Sequence, residues 1–178
     1  ITLTNAANDF TGSVSATGSA INLRDVNALT TGTLSTTGAL SLTTAGALNL
    51  GTTNAAALTI TASAATASNG TITQASGTAL TISGSTSLSA TGAISLTNTA
   101  NDFTGSVSVT SAALSLADAN ALQLTGSATG HTSLTTGGAL SLGTLTIGTS
   151  NAAANLNATA GGAISQSAAL VVYGTTNL

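Results

Sequence analysis

Eight residues, Asn8-Asp9-Phe10-Thr11-Gly12-Ser13-Val14-Ser15, return unchanged as Asn101-Asp102-Phe103-Thr104-Gly105-Ser106-Val107-Ser108, 93 positions later. Asp25-Val26-Asn27-Ala28-Leu29 returns at the same offset as Asp118-Ala119-Asn120-Ala121-Leu122. Further on, Gly38-Ala39-Leu40-Ser41-Leu42 matches Gly138-Ala139-Leu140-Ser141-Leu142 at an offset of 100. Thr53-Asn54-Ala55-Ala56-Ala57 matches Ser150-Asn151-Ala152-Ala153-Ala154 at 97, and Gly70-Thr71-Ile72-Thr73-Gln74 matches Gly162-Ala163-Ile164-Ser165-Gln166 at 92. Long internal self-similarity of this kind marks a repeat architecture, in which each unit buries its apolar face against the next. The chain reads as two long repeats, 1–93 and 94–178, in one continuous array whose offset drifts through insertions at turns.

A shorter period lies inside each unit. Leu3, Ile21/Leu23, Leu40/Leu42, Leu58/Ile60, Leu80/Ile82, Ile94/Leu96, Leu114/Leu116 and Leu140/Leu142 recur about every twenty residues. Each pair flanks a Ser, Thr or Asn, the period of a strand with one face buried. Helical spacing is not sustained. The expected fold is therefore all-β, a parallel β-helix (β-solenoid) of about 20 residues per coil. Nine or so such coils make a rod on the order of 40 Å long. Leu, Ile, Val and the two Phe residues face inward, with Phe10, Ile21, Leu23, Leu40, Leu42, Phe103, Leu114, Leu116, Leu140 and Leu142 as the predicted core. Gly38-Ala39, Gly46-Ala47, Gly92-Ala93 and Gly138-Ala139 fall at the corners, and 125–131 is expected to be a turn that tolerates insertion.

Composition removes most other classes. Hydrophobic residues are 42% and charged residues 3%, which is the reverse of a disordered chain. With one basic side chain, Arg24, there is no footprint for nucleic acid. No apolar run reaches the 18 residues of a membrane span, and Thr, Ser or Asn interrupts each one. Cys is absent, so disulfides and thiolate chemistry are excluded. The sequence starts mid-pattern at Ile1, so an internal window of a longer chain is expected.

The blocks Leu96-Thr97-Asn98-Thr99-Ala100-Asn101-Asp102-Phe103-Thr104-Gly105, Asp118-Ala119-Asn120-Ala121-Leu122 and Gly162-Ala163-Ile164-Ser165-Gln166-Ser167 resemble the repeats of filamentous-haemagglutinin-like exoproteins. The resemblance covers essentially the whole chain. It implies a right-handed parallel β-helix in the shaft of a large adhesin, exported by two-partner secretion to the surface of a Gram-negative bacterium.

The reactive side chains read as structure. Asp9, Asp25, Asp102 and Asp118 are the only acidic residues, and each has a copy in the other unit. Their Asn-Asp and Asp-x-Asn settings suit Asx turns, so Asn8, Asp9, Asp25, Asn27, Asn101, Asp102, Asp118 and Asn120 are assigned to turns rather than to glycoside cleavage. A calcium β-roll signature is absent, and no metal or cofactor is expected. His131 and Arg24 occur once each and read as solvated surface, and His131 has no evident catalytic partner. Tyr173 falls in the region of Thr81 or Ile82 and is a candidate for an exposed contact. Asn-rich turns suggest stacked amides along the rod. The sequons Asn69-Gly70-Thr71 and Asn157-Ala158-Thr159 are read as chance. Thr2-Leu3-Thr4 and Thr71-Ile72-Thr73 hint at an ice-binding rank, but Ser and Asn interrupt it.

The expected function is thus a non-catalytic shaft that holds a binding region away from the cell, with host or neighbouring-cell surfaces engaged outside this window. The alternative is an extracellular filament in which copies of the chain stack or bundle. Low charge leaves little repulsion between copies.

Overall fold

The alternating aliphatic and hydroxyl residues become short strands, and every named strand pairs in parallel with strands one circuit away, in a computed structural model describing residues 1–64 and 69–178. Chain order follows the winding. The first circuit holds β1 (Thr2–Leu3) and β2 (Val14–Gly18), and the second β3 (Ile21–Asp25) and β4 (Leu29–Thr36). The third holds β5 (Ala39–Thr44), β6 (Leu48–Leu50) and β7 (Thr53–Ala55), and the fourth β8 (Ala57–Ala62), β9 (Ile72–Gln74) and β10 (Leu80–Ile82). Next come β11 (Thr86–Ala90), β12 (Ala93–Leu96) and β13 (Asp102–Phe103), then β14 (Ser106–Ser111) and β15 (Ala113–Asp118). The last circuits hold β16 (Leu122–Ala128) and β17 (Thr132–Thr136), β18 (Leu140–Ile147) and β19 (Leu156–Ala160), and finally β20 (Ile164–Gln166), β21 (Leu170–Val172) and β22 (Thr176–Asn177). The fold is an all-β parallel solenoid of about nine turns spaced about 20 residues apart.

A ten-stranded sheet forms one wall as far as β18, whose first residues pair with β20 and later ones with β21. A twelve-stranded sheet forms two more, which part at β4: its first residues pair with β6 and its later ones with β7. Inward positions stack in columns. On the first wall Ile21, Leu40, Leu58, Thr86, Val107, Leu124 and Leu142 succeed one another, with Leu23, Leu42, Ile60, Leu88, Val109 and Gly126 beside them. On the second wall the column is Leu29, Leu48, Ile72, Ile94, Leu114, Thr132, Leu156 and Thr176. Each fully buried Leu or Ile contributes about 1.5–3 kcal/mol of burial before entropy is counted. Bends at Gly38, Gly46, Gly92 and Gly138 turn the chain between walls.

The columns correct three sequence expectations. First, the aliphatic pairs do not form one series: Leu58 is covered by Thr86, whereas Leu80 and Ile82 stand on the third wall and Ile94 and Leu96 on the second. Any wall accepts an i, i+2 pair, so spacing alone does not reveal which wall a pair occupies. Second, the offset does not rise to 100. A Cβ on Gly46 would meet the backbone of Asn27 and Ala28, and one on Gly138 meets that of Asn120 and Ala121, at the same 2.9–3.0 Å. Gly138 is therefore the counterpart of Gly46, at an offset of 92, and Gly46-Ala47-Leu48-Asn49-Leu50 runs against Gly138-Ala139-Leu140-Ser141-Leu142. Likewise Asn54 lies in β7, while Asn151 lies in the turn before β19, so these two are not equivalent. Third, residues 125–128 belong to β16, so the corner is confined to 129–131.

With equivalences taken from the ladders, the copies are related by a specific step. Ile21 climbs four circuits on its own wall, through Leu40, Leu58 and Thr86 to Val107. Its sequence counterpart Leu114 lies one wall further on, in the twelve-stranded sheet. A copy thus spans four circuits plus one wall, and successive copies turn about the solenoid axis by that wall.

Candidate functional site

The side chains with chemistry gather at corners and at the junction between the copies. Asp25 ends β3 and Asp118 ends β15, and both are buried. Asp118 Oδ1 accepts the Asn120 N–H at 2.7 Å and Oδ2 accepts the Phe103 N–H at 2.8 Å. Asp25 repeats this, accepting the N–H groups of Asn27 at 2.8 Å and Phe10 at 2.9 Å. Each carboxylate therefore closes an Asx turn and also ties its corner to the circuit beneath. Burial pushes the Asp118 carboxyl above its ordinary range. The Phe103 and Asn120 N–H groups oppose that shift, and the nearby Asp102 charge adds to it.

The other two acidic residues differ from the turn assignment. Asp9 is exposed and accepts the Asn27 side-chain amide at 3.1 Å. Asp102 stands in the strand β13, because Phe103 beside it is drawn into the core and pairs with Ile82. Phe103 is buried, and Phe10 is half-buried and packed against the core. Ile21, Leu23, Leu40, Leu42, Leu114, Leu116, Leu140 and Leu142 all lie in the core.

Asn101 is buried, and its amide is fully used. Oδ1 accepts from Gln74 Nε2 at 2.7 Å and from the Leu80 N–H at 3.0 Å, while Nδ2 donates to Gln74 Oε1 at 3.0 Å and to the Leu96 carbonyl at 3.3 Å. Asn98 Nδ2 donates to the Thr78 carbonyl, which also accepts from Gln74 Nε2 at 2.8 Å. Gln74 precedes this junction and Asn101 follows it, so the reciprocal amide pair sits where the two copies meet. Sequence reading placed Asn101 in a turn and passed over Gln74. The signal available was the return of Gln74 as Gln166. Stacked amides elsewhere are short, as in Asn177 Nδ2 donating to Asn157 Oδ1 at 2.7 Å.

His131 lies exposed at the 129–131 corner, where its Nδ1 accepts the Asn155 N–H at 2.9 Å, a backbone partner that the sequence did not reveal. Arg24 is exposed on the outward face of β3. Tyr173 follows β21, whose Val171 and Val172 pair with β18 as Thr81 and Ile82 pair with β7, so its counterpart is Ser83. The outward face of the first wall carries two columns of hydroxyls, Ser41/Thr43, Thr59/Thr61, Ser87/Ser89 and Ser108/Thr110. The triplets Thr2-Leu3-Thr4 and Thr71-Ile72-Thr73 belong to different walls. Among the described residues no three His, Cys, Asp or Glu side chains come together as a metal-ion group, and no helix is long and apolar enough to cross a membrane.

This geometry defines a repeat-built β-solenoid whose buried Asp and Asn side chains serve corners and the junction between copies. The chain belongs to the family described as repeats of unknown function (DUF5649), whose model matches residues 1–17, 45–110 and 139–178, more than half of its length. No curated protein and no solved structure matches it.

Proposed function

We propose that this solenoid is shaft material of a large secreted bacterial surface adhesin, which holds a binding region away from a Gram-negative cell. The resemblance to filamentous-haemagglutinin-like exoproteins supports the reading and brings with it export by two-partner secretion. The observation that carries it is the continuity of the inward columns across the junction between copies, with no break in register from Ile72 to Ile94 to Leu114. A core of this form extends with every added copy, and each lengthens the rod by about 20 Å at about 4.8 Å per circuit. The step of one wall per copy sends equivalent surface residues to different walls, which suits a spacer better than a face that collects a ligand. The Asp25 and Asp118 carboxylates are taken up by backbone N–H groups, which supports a structural role for these two over a catalytic one.

The test is to change copy number in the full-length protein on its own cells. The shaft reading requires that electron microscopy shows a proportional change in fibre length while ligand specificity is retained. Loss of binding specificity with each deleted copy overturns it, as does polysaccharide cleavage by the purified chain that disappears on replacing the Asp residues.

A further inference from the structure

We infer that the outward face of the first wall is an ice-binding surface. The observation that carries this is a two-column lattice of unengaged hydroxyls, which the stacking of circuits builds across the junction between copies. An ice-binding face goes beyond the shaft reading and does not depend on it.

The two hydroxyl columns of the first wall begin at Ser41 and Thr43 in β5 and run through β8, β11 and β14 to Thr125 and Ser127 in β16. Their register holds without a shift over these five strands and breaks only where β18 is added, between Leu124 and Gly126. Two hydroxyls thus recur on each circuit, about 4.8 Å apart up a column and about 6.6 Å apart across the pair. Strands β5, β8 and β11 come from the first copy, and β14 and β16 from the second. The lattice needs only hydroxyls in register, so the one-wall step between copies does not disperse it.

The other walls do not repeat the pattern. On the second wall the alternate position after Ser115 is Ala117, which is buried. On the third wall Asn54, Thr81 and Asp102 share one column. The triplets Thr2-Leu3-Thr4 and Thr71-Ile72-Thr73 lie outside the lattice.

The hydroxyls are available. None of these Ser and Thr residues is buried, and among the described residues only Thr125 bonds within the chain, donating to the Val107 carbonyl at 3.5 Å. No charged side chain interrupts them. Arg24, one circuit below Thr43, marks the edge of the lattice.

These properties select an uncharged, periodic partner. Each hydroxyl both donates and accepts, as a water oxygen in a crystal does. Short side chains on strands that are already ordered lose little entropy when they are held. A single hydroxyl gains little from ice that liquid water does not also offer. A lattice can tell the two apart, because all of its hydroxyls engage at one spacing. Both column spacings are close to the oxygen repeats on the prism face of hexagonal ice. A sugar polymer or a protein is served less well, since no aromatic ring or Arg stands within the face as an anchor.

The test freezes a dilute buffered solution of the chain slowly onto a cold finger and compares the chain in the ice with that left in the liquid. Two variants accompany it, Ser89→Tyr within the lattice and Ser133→Tyr on the second wall, each with circular dichroism to verify the fold. Both positions are exposed and lie inside strands, where Tyr is well suited. Wild type and Ser133→Tyr are expected to enter the ice equally. Uptake of Ser89→Tyr is expected to fall about tenfold, because a ring amid the columns lifts neighbouring hydroxyls off the crystal. Exclusion of the wild type from ice overturns the inference. So does equal uptake of all three proteins, or a loss shared by both variants, because neither follows the lattice. Sedimentation velocity and binding to insoluble cellulose are measured on the same proteins. If the wild type is excluded from ice yet self-associates or binds cellulose, and Ser89→Tyr alone abolishes this, the face belongs to a second copy or to a glycan and the inference is overturned. The shaft reading is untouched in every case, because it is judged by fibre length on cells.

Discussion

Asp118 Oδ2 accepts the backbone N–H of Phe103 at 2.8 Å, across 15 residues of chain, and Asp25 holds Phe10 in the same way. One buried carboxylate thus closes its own turn and also fixes the strand that brings an aromatic ring into the core.

Replacing Asp118 tests that double duty. Asp118→Ala orphans two backbone donors, and Asp118→Asn turns an amide NH2 toward one of them. Each is expected to cost about 1–3 kcal/mol in urea unfolding. The pH dependence has a definite sign. The folded-state carboxyl titrates above its ordinary 3.8, so the folded chain holds this proton more tightly than the unfolded chain. The contribution is fully present below that ordinary value and is lost as pH rises through the raised one. The stability gap between wild type and Asp118→Ala should therefore be larger in acid than at neutral pH. A gap that shrinks in acid would contradict the burial account.

The two Phe residues should part company. Phe103→Ala empties a closed site and is expected to cost about 3–5 kcal/mol. Phe10→Ala, at a half-buried position, should cost less than half of that in the same chemical unfolding measurement.

Thr132 and Thr86 occupy inward columns, Thr132 between Leu114 and Leu156, and neither hydroxyl finds a hydrogen-bond partner among the described residues. Thr132→Val and Thr86→Val remove buried, unpaired hydroxyls and are each expected to stabilise the chain by about 1 kcal/mol. Unfolding midpoints lower than wild type would mean that these hydroxyls are satisfied.

Gly126 and Gly12 offer a contrast in backbone approach. Gly126 has φ of +123°, and a Cβ there would fall 1.9 Å from the Val109 carbonyl oxygen, whereas nothing lies within 4 Å of a Cβ on Gly12. Gly126→Ala should lower stability by more than about 2 kcal/mol, while Gly12→Ala stays within about 0.5 kcal/mol of wild type. Thermal melts followed by circular dichroism separate the two.

Strand content and the identity of the core were legible because side-chain alternation is a local property. Leu40 and Leu42 face inward whichever circuit they stack on. The Asp-x-Asn turns were legible for the same reason: the bond from the Asn27 N–H to Asp25 spans two residues. The second bond of that carboxylate, to Phe10, was not, because it depends on which circuit lies beneath. Gln74 was missed on similar grounds. A lone Gln at a strand end has no local pattern, and its partner Asn101 is 27 residues away.

By itself, then, the sequence determined an all-β solenoid with a 93-residue recurrence, a hydroxyl-rich surface of low charge and Asx-closed corners, since each follows from local periodicity and turn chemistry. Tertiary structure alone decided that Leu58 lies under Thr86, that Gly138 answers to Gly46, and that a copy advances four circuits plus one wall. The physical reason is that parallel pairing joins residues a whole circuit apart. Circuit length varies with each corner, as in the 28 residues from Leu58 to Thr86 against the 18 from Leu40 to Leu58. Register between circuits is set by stacking and backbone hydrogen bonds, which no single stretch of sequence contains.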